Sequence, residues 1–142
     1  MQIHQSAEDY LETILMLTQR MGRVRSIDVV NELGYTKASV SIAMKKLREN
    51  GYIAVDGEGN LTLLEPGREI AERIYSRHRL LTHFFVQLGV DEEVAAEDAC
   101  KAEHILSEQT LEKIREYALL HDAEGSLSLI HISEPTRQEA IS

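Results

Sequence analysis

Residues 26–64 constrain the fold of this chain more than any other stretch, because two short helices and a hairpin follow one another there. Ser26 can cap a short helix, and Gly34-Tyr35 supplies a tight turn after it. Thr36 can cap a second helix, which the apolar spacing predicts over 37–50. A short helix, a glycine turn and a second helix that begins with small polar residues are typical of a helix-turn-helix.

Two β-prone runs follow, residues 52–55 and 61–64, and a turn-forming segment rich in Asp, Gly and Asn separates them at 56–60. Such a pair predicts a β-hairpin. A hairpin directly after a helix-turn-helix is a wing, so this part of the chain predicts a winged-helix DNA-binding domain. Its acidic Asp56 and Glu58 are unexpected, since an approach to phosphate would favour cations.

The second half of the chain predicts only helices. Pro66-Gly67 opens a long helix, another helix is predicted over 92–106, and Ser107 can cap the next one. Apolar faces and an acidic surface suit these helices for dimerisation. We therefore predict a mainly α protein, with an N-terminal winged helix-turn-helix domain at 1–65 followed by an all-helical metal-binding and dimerisation domain at 66–124.

Charge is divided unevenly along the chain, whose 142 residues carry a net charge of −9. Residues 20–50 carry seven cations against three anions, whereas residues 51–142 carry eight cations against 18 anions. A basic patch inside an acidic protein predicts a local contact with nucleic acid. The sequence has no apolar run of membrane-spanning length, no signal-peptide pattern and a single cysteine, so we expect a cytoplasmic protein.

A thiol, a carboxylate and an imidazole fall within one helical turn at Cys100, Glu103 and His104. In a helix these three side chains share one face, and all of them belong to types that bind transition metals. A small buried cysteine beside a solvated Glu-His pair is an equally good interpretation of the three residues taken alone.

Three further residues also have two interpretations each. Asp9 and Glu12 lie one turn apart in a helix predicted over 7–21, where they can be metal ligands or can complement the dipole of the first helical turn. His78 falls on an apolar stripe of the long helix, where a hydrogen-bonded core histidine is the commoner explanation.

The chain resembles the family of iron- and manganese-dependent repressors that includes the diphtheria toxin repressor and the manganese transport regulator. Four stretches carry the resemblance in the family order and spacing, namely Ala7 to Glu12, Leu33 to Ser41, Arg77 to Leu81, and Asp98 to His104. The resemblance implies a DNA-binding transcriptional repressor of metal-ion homeostasis genes, with metal as co-repressor, and not an enzyme.

The resemblance also implies a metal site whose ligands come from three helices. Cys100 stands where manganese regulators usually carry a glutamate and iron regulators a cysteine, whereas Asp9 stands where iron regulators usually carry a methionine. The cofactor is therefore Mn(II) or Fe(II), with a slight preference for manganese because the first-helix ligands are hard carboxylates. The matching ligand positions are Asp9, Glu12, His78, Cys100, Glu103 and His104.

We expect the start of the helix at 37–50 to enter the major groove of double-stranded DNA, with nearby cations at the phosphates. A homodimer would place two such helices on a palindromic operator whose half-sites lie about one helical turn, ~34 Å, or a multiple apart. The predicted DNA-binding residues are Arg23, Arg25, Thr36, Lys37, Ala38, Ser39, Ser41, Lys45 and Lys46.

Two other functions are also compatible with the sequence. The first is a winged-helix regulator that does not sense metal, in which Cys100 and the histidines are structural. The second is a metallo-enzyme, because carboxylate-histidine clusters also hold hydrolytic metals. The basic recognition helix and the lack of a glycine-rich phosphate loop in the sequence argue against the enzyme.

Residues 125–142 do not continue the helical pattern after Gly125-Ser126. The string resembles translated sequencing-adapter read-through, so we expect an artefactual or disordered tail in which His131 has no functional role.

Overall fold

The computed structural model describes residues 5–122. Within that range the chain forms six helices and one two-stranded antiparallel sheet, which agrees with the predicted mainly helical class. The chain divides into two compact units, Met1–Glu72 and Arg73–Ser142. The helices are α1 (Gln5–Met21), α2 (Ser26–Leu33), α3 (Lys37–Glu49), α4 (Glu65–Gln87), α5 (Glu92–Ala102) and α6 (Glu108–Leu120), and the strands are β1 (Ile53–Val55) and β2 (Leu61–Leu63).

Helices α2 and α3 form the predicted helix-turn-helix in the first unit. Gly34 ends α2 in the left-handed backbone conformation, with φ of 71°, and its N–H donates to the Val30 carbonyl. Glycine is favoured there because it has no Cβ to clash. The Thr36 hydroxyl accepts a hydrogen bond from the Ser39 N–H at 3.1 Å, so the predicted cap of α3 is confirmed.

The start of α2 differs from the prediction. Ser26 is the first helical residue and not the cap, because the turn closes one residue earlier. The N–H of Arg25, which is the N-cap residue, donates to the Asp28 carboxylate at 2.9 Å. An acidic side chain three residues into a helix satisfies the N-cap backbone in this way.

Strands β1 and β2 form the predicted hairpin, with Ile53 opposite Leu63. Leu61 and Leu63 are buried whereas Thr62 between them is exposed, as expected for a strand with one face on a core. The Leu61 N–H also donates to the Val24 carbonyl at 2.7 Å, so the hairpin is hydrogen-bonded to the segment that precedes α2.

Helix α4 passes very close to the start of the hairpin at Gly67. A Cβ atom at this position would lie 2.2 Å from the Tyr52 carbonyl oxygen and 3.3 Å from Cδ2 of Leu11, which is fully buried. Because the nearest atom belongs to backbone, a larger residue at position 67 requires the chain itself to move. The first unit thus depends on glycine at this contact.

The second unit comprises α5, α6 and the part of α4 from Arg73 onward. Leu81, Ala99 and Leu111, one from each helix, form a buried cluster. Leu80 and Ala118 form another buried pair between α4 and α6. Alanines at two of these positions let the helices approach closely.

The helix predicted over 92–106 is shorter in the structure, where α5 ends at Ala102. The N–H groups of Ile105 and Leu106 both donate to the Ala102 carbonyl and close a turn. Ser107 is the N-cap residue of α6 and directly follows this turn. The N-terminus of α6 therefore limits the length of α5.

None of the helices in the described range is long and apolar enough to cross a membrane. The predicted tail at 125–142 and the last two residues of the predicted helical domain lie outside the described residues.

We expect the substitution Gly67→Ala to lower the free energy of unfolding by about 1–3 kcal/mol, because the added methyl group overlaps backbone atoms. Urea unfolding followed by circular dichroism measures this change. Gly57→Ala is the matched control, since nothing lies within 4 Å of a Cβ there, and it should change stability by less than about 0.5 kcal/mol. Equal stability of the two variants would contradict the close approach.

Candidate functional site

The start of α3 presents an exposed polar surface in the first unit. Thr36 and Ser39 are linked through their hydroxyl groups at 2.9 Å, and Ile42, on the next turn, is 58% exposed. An exposed apolar side chain among short hydroxyls suits contact with thymine methyl groups. The predicted α3 contacts are all accessible to solvent, namely Thr36, Lys37, Ala38, Ser39, Ser41, Lys45 and Lys46.

The two remaining predicted DNA contacts, Arg23 and Arg25, line a cleft of about 410 Å³ together with Glu58 and Asn60 of the hairpin turn. The Arg25 guanidinium donates to the Glu58 carbonyl oxygen, and the Arg25 backbone forms a β-bridge with Asn60. A Cβ at Gly59 would lie 3.3 Å from Arg25 Nη2. Arg25 therefore holds the wing turn against the start of α2, a role that the sequence pattern does not predict.

The acidic Asp56 shapes the wing turn from within. Its Oδ1 accepts hydrogen bonds from the Glu58 and Asn60 N–H groups at 2.9 Å, and its Oδ2 accepts one from the Asn60 side-chain amide at 3.0 Å. These bonds, the one from the Asn60 side chain foremost, hold the pKa of Asp56 below its usual value. The carboxylate is thus explained by turn geometry, even though it lies where DNA contact would favour a cation.

In the second unit the carboxylate of Glu103 is fully buried and faces two imidazoles. His78 Nδ1 lies 3.1 Å from Glu103 Oε2, and His104 Nε2 lies 3.5 Å from Glu103 Oε1. The His104 side chain is only 2% exposed. A buried carboxylate is costly unless it is paired, so these three residues form one polar cluster inside the unit.

Cys100 lies one turn before Glu103, and its Sγ is within 4.8 Å of a Glu103 carboxylate oxygen. Glu103 keeps helical backbone angles, so it shares a face with Cys100 although α5 ends at Ala102. Glu103 and His104 both lie in the turn after α5, so the expected helix does not extend to them, although His104 Nε2 lies 3.5 Å from Glu103 Oε1. The alternative of a buried cysteine beside a solvated glutamate is also wrong, because Cys100 is exposed and Glu103 is buried.

Arg77 contacts both ends of the turn between α5 and α6. Its Nη1 donates to the Glu103 carbonyl at 3.2 Å, and its Nη2 forms an ion pair with Glu108. The Arg77 side chain is 14% exposed. No role for Arg77 is predicted from the sequence, although this residue begins one of the four stretches that carry the family resemblance.

On α1, Asp9 and Glu12 lie one turn apart, and Glu12 is buried. The helix dipole favours acidic residues only within the first turn of a helix. Because α1 begins at Gln5, both residues lie beyond that turn, and the dipole interpretation is wrong for them. Asp9 and Glu12 therefore need another explanation. Burial, with contributions from Tyr35 and Asp9, raises the pKa of the neighbouring Tyr10.

The donor atoms of the second unit fit a divalent transition metal, because they comprise carboxylate, imidazole and thiol groups. Two donor atoms bound to one metal at ~2.1 Å and at right angles lie about 3 Å apart. The 3.1 Å between His78 Nδ1 and Glu103 Oε2 matches that spacing, and it also suits a hydrogen bond. The spacing of these two atoms therefore suits both a shared cation and a direct hydrogen bond.

Two family models match consecutive parts of the sequence. The model described as "Iron dependent repressor, N-terminal DNA binding domain" matches residues 2–61. The model described as "Iron dependent repressor, metal binding and dimerisation domain" matches residues 64–119.

Curated relatives agree with these matches. An uncharacterized HTH-type transcriptional regulator of Methanocaldococcus jannaschii is 36% identical over 113 residues, which cover 78% of this chain and 90% of that protein. The HTH-type transcriptional regulator MntR of Bacillus subtilis (strain 168) is 35% identical over 109 residues, which cover 77% of each chain.

Solved structures share the fold. A manganese-dependent transcriptional repressor in complex with manganese superposes with a TM-score of 0.72 at 28% identity, covering 79% of this chain and 52% of that one. IdeR of T. acidophilum also gives a TM-score of 0.72, at 23% identity, covering 82% of this chain and 55% of that one. The present chain thus spans about half the length of these solved chains.

We expect the Asp56 carboxyl to titrate below the usual aspartate value of 3.8, because the Asn60 side-chain amide and the backbone N–H groups of the turn stabilise its charged form. This stabilisation is fully present above the usual value and is lost as the pH falls through the lowered pKa. Carboxyl-carbon NMR measures the titration, with the amide shifts of Glu58 and Asn60 as reporters. The transition should be absent in Asp56→Asn, and an unshifted pKa would contradict the turn geometry.

Proposed function

Because this chain belongs to the family of iron-dependent repressors, we propose that it represses metal-ion homeostasis genes with Mn(II) or Fe(II) as co-repressor. The predicted family resemblance is confirmed, since the matched models are a DNA-binding domain and a metal-binding and dimerisation domain. Its curated relatives are transcriptional regulators and not enzymes. Acting on the chromosome, such a repressor works in the cytoplasm.

The observation that carries the metal proposal is the buried Glu103 carboxylate between two imidazoles. Nitrogen and oxygen donors that converge on a buried point suit Mn(II) and Fe(II). His78 and Glu103 would be the central ligands, with His104 beside them. Cys100, the exposed member of the group, would close the site from the end of α5.

Asp9 and Glu12 would supply the remaining ligands from α1, as their match to the family positions implies. Two like charges ~4 Å apart repel by about 4 kcal/mol at an effective dielectric of ~20, so gathering these carboxylates with Glu103 is unfavourable by itself. A bound cation supplies the positive charge that offsets this repulsion.

The preference for one metal over another depends on how hard or soft the ligand atoms are. Asp9, Glu12 and Glu103 are hard oxygen ligands that suit Mn(II), whereas a Cys100 thiolate raises the affinity for Fe(II). One of the similar solved structures is a repressor in complex with manganese. We therefore propose Mn(II) first and Fe(II) second.

On DNA, the exposed residues at the start of α3 would contact base edges, and Lys45, Lys46 and Arg23 would contact phosphates. Arg25 would act through the wing turn that it holds. The matched dimerisation domain pairs two copies of the chain, so the operator would be a palindrome with half-sites about one helical turn, ~34 Å, or a multiple apart.

We expect Mn(II) or Fe(II) to raise the DNA affinity of the wild-type protein by roughly 5–150-fold, the usual range of allosteric coupling. His78→Ala and Glu103→Gln should abolish this rise and keep the metal-free affinity. Anaerobic fluorescence anisotropy on DNA from the upstream region of the protein's own gene measures the effect.

His121→Ala is the matched control for the metal titration, because it removes an exposed imidazole that stacks on Tyr117. It should leave the metal response unchanged. A wild-type affinity that neither metal alters up to millimolar concentration would favour a winged-helix regulator without metal sensing.

We expect Lys45→Gln and Lys46→Gln each to reduce the slope of log K against log salt concentration by about 0.9, because each removes one phosphate contact. Lys113→Gln removes an exposed lysine of α6, outside the proposed DNA surface, and should leave the slope unchanged. A slope that these lysines do not affect would contradict phosphate contacts from this face of α3.

A further inference from the structure

We propose that Arg77 is a positioning residue of the metal centre, which holds the turn that carries Glu103 and His104. This inference rests on the proposed function, since it concerns the same ligands. Arg77 would not touch the cation. It would act through the backbone of Glu103.

The turn that Arg77 contacts is short and carries two of the ligand candidates. Helix α5 ends at Ala102, and α6 begins at Glu108. The last carbonyl groups of a helix lack partners within that helix. Arg77 Nη1 donates to one of them, the Glu103 carbonyl, at 3.2 Å.

Helix α4 therefore holds Glu103 at two separate points. Arg77 binds the backbone carbonyl, and the next residue, His78, contacts carboxylate Oε2 at 3.1 Å. With the backbone contact alone, the Glu103 side chain could rotate away from His78. With the carboxylate contact alone, the backbone of Glu103 could shift. With both contacts made, the carboxylate keeps its direction, and His104, the next residue along, is held with it.

The charge of Arg77 is compatible with a nearby cation because Glu108 offsets it. The ion pair joins the mostly buried guanidinium to a carboxylate that is 70% exposed, so the negative charge stays close to solvent. The planar guanidinium fork donates to both acceptors at once, which a lysine ammonium matches poorly. Arg77 thus links Glu103, the first residue of the turn, to Glu108, the first residue of α6, without adding net charge.

The test compares Arg77→Met, Arg77→Lys and Glu108→Gln by anaerobic calorimetry with Mn(II) and by the visible spectrum of bound Co(II). Arg77→Met should weaken Mn(II) binding by about 10–100-fold, as other residues that orient metal ligands do, and should alter the Co(II) bands. Arg77→Lys should recover part of the affinity. Glu108→Gln keeps the contact to Glu103 and should cost less than about five-fold, as expected for a pair with one exposed partner.

Arg79→Met is the matched control, because Arg79 follows His78 on the same helix and its guanidinium lies over the Tyr75 ring. It should leave the Mn(II) affinity and the Co(II) bands unchanged. Circular dichroism and thermal unfolding establish that each variant is folded, and Glu108→Gln and Arg77→Lys carry the test if Arg77→Met does not fold.

Two results would overturn the inference in distinguishable ways. Wild-type affinity and wild-type Co(II) bands in folded Arg77→Met would remove the role of Arg77 and leave the proposed function intact. If Arg77→Met does not fold, wild-type affinity and wild-type Co(II) bands in Arg77→Lys would have the same meaning. A wild-type protein that binds neither Mn(II) nor Co(II) would overturn the proposed function and this inference together.

Discussion

The second unit depends on how it accommodates one buried charge, the Glu103 carboxylate. Transferring an unpaired carboxylate from water into a protein interior costs several kcal/mol, so such a group persists only with partners on every side. Here both oxygens face imidazoles, and the backbone of the same residue receives a guanidinium N–H. Helix α4 and the turn after α5 are thus joined by polar contacts, whereas α4, α5 and α6 pack elsewhere through leucine and alanine.

A metal-dependent repressor with such a second unit can change state without unfolding. Small zinc domains unfold without their metal, because metal binding supplies most of their folding free energy. The second unit instead has buried apolar clusters that join α4, α5 and α6, so it can stay folded in the metal-free state. Metal then shifts a folded protein between two states, and the size of the response is set by the difference in affinity for those states.

The sequence predicts those features that local chemistry determines. Gly34 and Thr36 mark the helix-turn-helix because a left-handed turn and an N-cap need those residue types. The contacts of Arg25 and Arg77 could not be predicted, since they join residues 33 and 26 positions apart and no periodicity reports such pairs. The apolar spacing predicts a helix over 92–106, but α5 ends at Ala102 because the chain turns there before the N-cap of α6 at Ser107. The buried state of Glu103 likewise depends on packing between helices, which the sequence pattern did not reveal.

The wing turn combines two kinds of information, one local and one distant. Asp56 binds backbone and side-chain groups within four residues of itself, so this short segment determines the shape of the turn. Its attachment is not local, because Arg25 reaches it from before α2. A hairpin grafted with this segment alone would therefore reproduce the loop but not its orientation. Exchanging wings between related repressors is expected to succeed only when the arginine travels with the loop.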